Sequence, residues 1–109
     1  MSAITTALRQ AMRLDGARGA AVVDCVSRMA LGTLGDPDVV RAKLSAMELI
    51  GYAPTRLEDI LITLDTEYRL IRPLVRRTHE GLFLYVVLDR DRTELNTVRK
   101  ELRRIEELL

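Results

Sequence analysis

From Leu82 to Leu88 every residue is apolar, and the run is closed by Gly81 on one side and Asp89 on the other. Such a stretch has no wet face in either the helical or the strand period. It is rich in β-formers and too short for an ordinary buried helix, so it reads as a strand covered on both sides. One strand of this kind constrains the whole fold. It belongs in the middle of a sheet, with helices on both faces.

The block before it supplies the neighbours. In residues 57–64, Ile60, Ile62 and Leu64 point one way and Asp59, Leu61 and Thr63 the other. Asp65 and Thr66 make the turn, and residues 67–74 return as the next strand. Pro73 has no N–H for a ladder, so it marks an edge or the strand's exit. Arg76 to Gly81 is a polar loop.

Upstream, Ser2 is placed to cap a first helix, and Ile4, Leu8, Ala11 and Met12 give it an apolar stripe, with Gly16 as its stop. Residues 19–24 are small and β-branched, which suits a strand that a helix approaches closely, and residues 29–34 are its hairpin partner. The link between them lacks the Asn-Gly or Asp-Gly of a tight hairpin, so a longer or bulged turn is expected. Asp36 and Pro37 open a second helix that runs to about Gly51, with Val40, Leu44 and Met47 as its stripe. Ala53, Pro54 and Thr55 form a loop. After the central strand, Asp91 and Glu94 have capping-box spacing for a last helix. Leu95, Val98, Leu102, Ile105 and Leu109 follow on one face, a core stripe rather than a coiled-coil seam. The order is αββαβββα.

At 109 residues the chain is one domain, residues 1–109. Hydrophobic residues make up 48% of it, with one Phe and no Trp, so the core is aliphatic. Seventeen basic residues against sixteen acidic ones leave a net charge of +1, without the basic excess that generic nucleic-acid binding needs. The single Cys25 excludes an internal disulfide and reads as a small buried hydrophobe. No run is long enough to span a bilayer, and no signal peptide opens the chain, so a cytoplasmic protein is expected.

Enzymatic chemistry finds little footing. His79 lies in a polar loop, and Ser27, Ser45 and Thr78 have no elbow or triad around them. Asp59, Asp65 and Glu67 are explained by strand and turn positions. No glycine cluster cradles a phosphate, no His/Cys cluster suits a metal, and no cofactor is implied. Arg69, Arg72, Arg76 and Arg77 are the densest basic stretch. Their spacing puts Arg69 and Arg72 on opposite faces of a regular strand, and a solvated face and loop is the expected role.

Glu58 to Thr63, then Tyr68 to Leu74, then Leu82 to Asp89 with Asn96 near the start of the last helix, carry a further pattern. A strand ending in a hydroxyl residue, an aromatic-x-Leu-Ile-Arg segment and a Leu-x-Leu-Asp-like strand end resemble the bacterial Roadblock/dynein light-chain domains. Residues 19–24 also fit that family's first strand. The resemblance covers almost the whole chain. It departs from the pattern in two places: the first hairpin lacks the usual Asp-x-Gly, and the second helix and its preceding strand look short.

The resemblance implies an α+β fold, a five-stranded antiparallel sheet with helices one and three on one face and helix two on the other. It also implies a homodimer that joins third strands and second helices across a two-fold axis. Val40, Leu44, Met47, Ile60 and Ile62 are then the candidate dimer or partner contacts. The implied function is that of a non-catalytic scaffold that binds a small Ras-like GTPase or a signalling-complex protein. The alternative is a small-molecule-sensing domain built on the same helix-covered sheet, which would need a cavity with convergent polar groups.

Overall fold

The computed structural model describes residues 3–24, 29–35, 58–74 and 82–109. In chain order these form α1 (Ala3–Met12), β1 (Ala17–Asp24), β2 (Met29–Gly35), β3 (Ile60–Thr63), β4 (Glu67–Pro73), β5 (Leu82–Asp89), a 3₁₀ turn (Arg90–Arg92) and α2 (Leu95–Glu106). The second predicted helix, over 39–50, lies outside the described residues, as do Ser2, Cys25 and His79.

The strands make one antiparallel sheet in the order β2-β1-β5-β4-β3. The all-apolar run is therefore the middle strand, as its composition predicts. Its residues alternate between two cores. Leu84, Val86 and Leu88 face α1 and α2, whereas Phe83, Tyr85 and Val87 face the opposite side of the sheet. All six are buried.

α1 lies over β1 and β2 and touches α2. Ala7, Leu8 and Ala11 are buried there, so the apolar stripe faces the sheet. Small residues beneath the helix let it come close: a Cβ on Gly32 would meet Leu8 Cδ1 at 2.8 Å and Ile4 Cγ2 at 3.1 Å. Val98, Leu102 and Ile105 of α2 complete the same core with Leu70 and Leu74, and Leu109 closes it. The C-terminal stripe is core, as expected, and the two described helices share one face of the sheet.

Several boundaries differ from those read from the sequence. α1 ends at Met12, ahead of the expected stop at Gly16, because the chain tightens: the Arg13 and Leu14 N–H groups donate back to Gln10 and Ala11. Gly16 then takes φ +85°, where a Cβ would lie 2.4 Å from Thr93 Oγ1. The glycine thus turns the chain into β1 rather than capping the helix. β2 carries a bulge opposite Val22 and Val23; the link between the two strands, for which a longer or bulged turn is expected, lies outside the described residues. β4 ends at Pro73, the exit its missing N–H predicts.

The capping box is corrected. Asp91 sits in the 3₁₀ turn, whose cap is Asp89, and Glu94 itself caps α2 by accepting from the Asn96 and Thr97 N–H groups. Glu94 is the cap rather than the third residue of the turn because the chain first spends a short turn leaving β5.

Candidate interaction edge

β3 is an edge: among the described residues only β4 pairs with it. It is four residues long, and none of them is fully buried. Ile60 and Ile62 are half-buried on the second face of the sheet, packed beside Ile71, Phe83 and Tyr85, and Leu64 beyond them is exposed. Leu61 turns to the helical face. The alternation read from the sequence holds for Ile60, Leu61 and Ile62. Val40, Leu44 and Met47 lie outside the described residues.

A strand so short, with so little buried surface, needs other anchors. Its far end is a two-residue turn, where the Leu64 N–H donates to Glu67 O at 2.9 Å. Arg90 fixes that turn: its guanidinium donates to Leu64 O at 3.0 Å and stands 5.5 Å over the Tyr68 ring, and its own N–H donates to Thr66 O.

The near end is held by charge. Arg72 of β4 is buried on the helical face and donates to Asp59 at 3.1 Å and to Glu106 of α2. Arg99 of α2 grips both oxygens of Asp59, at 3.0 and 3.1 Å. Next to it, Arg103 donates to Glu58 at 2.6 Å and holds that exposed carboxyl below its usual range. Two consecutive carboxylates leading into β3 are thus tied to β4 and α2. Sequence reasoning placed Arg69 and Arg72 on opposite faces, which is correct, and expected them to be solvated, which Arg72 is not. A lone arginine in an otherwise apolar alternation (Leu70, Arg72, Leu74) is the signal that could have found it.

On the second face, Arg69 pairs with Glu67 at 3.1 Å. Tyr85 lies near them with its hydroxyl buried and without a hydrogen bond among the described residues. Burial pushes that hydroxyl up to about 12, against the pull of the Arg69 guanidinium, which favours the phenolate. Among the described residues no set of His, Cys, Asp and Glu could hold a metal ion. No described helix is long and apolar enough to cross a membrane.

No family model matches the sequence, and no curated protein matches it. Solved structures do match. A Roadblock/LC7 domain from Streptomyces avermitilis superimposes with a TM-score of 0.65 at 14% identity, over 96% of this chain and 89% of that one. The gliding protein MglB from Thermus thermophilus gives 0.68 at 18% identity, over 98% and 85%. MglB from Myxococcus xanthus gives 0.69 at 14% identity, over 97% and 84%. With its strand order, its central apolar strand and this likeness along nearly the full chain, the protein has the fold of the Roadblock/LC7 domains.

Proposed function

We propose that the protein is a non-catalytic homodimeric scaffold that binds a small Ras-like GTPase or a protein of a signalling complex. The observation that carries this reading is the β3 edge. Its outer backbone groups have no partner strand among the described residues, and Ile60 and Ile62 present an apolar row beside them. Free strand edges pair readily with another chain. Pairing β3 with β3 of a second copy would satisfy those groups and continue the sheet across a two-fold axis. Val40, Leu44 and Met47 would join Ile60 and Ile62 in that interface. The fold likeness to MglB, a gliding protein, supports a regulatory role.

Light scattering tests the first half: the wild-type chain should have the mass of a dimer. Leu44→Glu should give a soluble monomer or an unfolded chain, and an unchanged dimer would remove that residue from the interface. For the second half, the purified dimer is mixed with lysate of its source cell in GDP or a non-hydrolysable GTP analogue. Enrichment of a small GTPase in one nucleotide state supports the reading. Capture of a different partner in both states would reduce the function to a plain scaffold.

A further inference from the structure

The described arginines fall into two groups. Arg69, Arg72, Arg90, Arg99, Arg103 and Arg104 each hold a carboxylate or a carbonyl, and Arg9 is engaged as well. Arg13, Arg18 and Arg92 have no such partner in the described structure, and all three line one hollow of about 410 Å³. They come from three separate segments: the turn after α1, the start of β1 and the 3₁₀ turn after β5.

Hydrogen bonds to backbone carbonyls hold these segments together. The Asp89 N–H donates to Gly16 O at 2.7 Å, Thr93 Oγ1 donates to Asp15 O at 3.2 Å, and the Ala17 N–H donates to Leu14 O at 3.0 Å. The hollow is therefore built on the sheet and not on a free loop. Of the two carboxylates that line it, Asp89 already accepts from the Asp91 N–H at 3.0 Å. Asp15 is exposed.

We propose that this hollow binds the phosphate group of a small phosphorylated molecule. The three arginines outnumber the two carboxylates that line the same volume, and a dianion placed among them supplies the negative charge that is short there. The planar fork of Arg matches phosphate oxygens two at a time. The volume exceeds what a phosphate fills and lies near the lower end of small-ligand sites, ~300–1,000 Å³. An organic body therefore accompanies the phosphate, with Asp15 placed to accept from its hydroxyl groups. In the sheet order β5 and β4 lie between β1 and the β3 edge.

The test is an amide chemical-shift titration of the full chain with ribose 5-phosphate and, separately, inorganic phosphate. The site predicts saturable shifts at Gly16, Ala17 and Asp89, stronger for ribose 5-phosphate and weakened by added salt. Arg18→Ala and Arg92→Ala should each weaken binding about tenfold. Both residues are exposed, so the folded spectrum should be retained. Arg104→Ala, an exposed arginine on α2, should leave the affinity unchanged. Equal affinity for inorganic phosphate would keep the anion site and overturn its organic ligand. Shifts that never saturate, or that fall equally in Arg104→Ala and Arg18→Ala, would overturn the site.

Discussion

Arg72 Nη1 and Asp59 Oδ2 lie 3.1 Å apart with their side chains 5% and 10% exposed, a buried ion pair where the chain enters its edge strand. Breaking such a pair leaves a charge in low dielectric, which costs about 3–5 kcal/mol. Arg72→Met removes the partner of both Asp59 and Glu106, and Asp59 keeps only Arg99. We expect a loss near the lower end of that range in urea unfolding. Arg99 is a third exposed, so water screens it, and Arg99→Met should cost under about 1 kcal/mol. Equal losses for the two variants would mean that burial does not set the worth of this network.

Tyr85 offers the reverse case. Its hydroxyl is buried without a hydrogen bond, so Tyr85→Phe removes a desolvated group and keeps the ring packed with Phe83 and Ile71. The variant should be as stable as the wild type or slightly more so at neutral pH. The alkaline limb adds a sharper test. The folded hydroxyl titrates at about 12, above its unfolded value of about 10. The neutral form's contribution is present in full below the unfolded value and is lost as pH rises through the folded one. Stability of the wild type should fall across that window, and Tyr85→Phe should flatten the fall.

What the sequence revealed, and what it concealed, follows from how far each signal reaches. The central strand was legible because seven apolar residues in a row admit few other environments. The faces of β3 were legible because alternation is local. The β3 turn at Asp65 and Thr66 likewise needs only its own residues. The ionic anchor was not legible: Asp59, Arg72, Arg99 and Glu106 come from three segments, and only the closed sheet brings them together. The hollow lined by Arg13, Arg18 and Arg92 was missed for the same reason. The dense basic run stretches from Arg69 to Arg77, whereas Arg13, Arg18 and Arg92 are scattered along the chain.

The two glycines of β2 should respond unequally to alanine. Gly35 has φ +89°, and a Cβ there would meet Arg18 O at 2.4 Å and Gly19 Cα at 2.7 Å, both backbone. Gly35→Ala combines a left-handed backbone with a clash that only the strand itself can relieve, and should cost more than about 1 kcal/mol. At Gly32 the added methyl would meet the tips of the Leu8 and Ile4 side chains, which can shift. Gly32→Ala should therefore be the milder change, and thermal unfolding of the two variants gives the ranking.

Glu94 ties the start of α2 to pH. Its carboxylate accepts from Thr97 Oγ1 at 2.6 Å and from the N–H groups of Thr97 at 2.8 Å and Asn96 at 3.2 Å. The Thr97 hydroxyl and then these N–H groups hold its carboxyl below the usual range. A depressed carboxyl contributes stability that is present above its unfolded value and is lost as pH falls through the folded one. The first turn of α2 should therefore loosen in acid, with lower amide-exchange protection factors at Asn96 and Thr97 as Glu94 protonates. Glu94→Gln keeps an acceptor but removes the charge, so the protection factors of these amides should no longer change across that acid range. Asp91 belongs to the 3₁₀ turn and not to the cap of α2, so Asp91→Asn should leave the acid response of the wild type intact. If Asp91→Asn abolished it instead, the cap would belong to the residue that capping-box spacing first indicated.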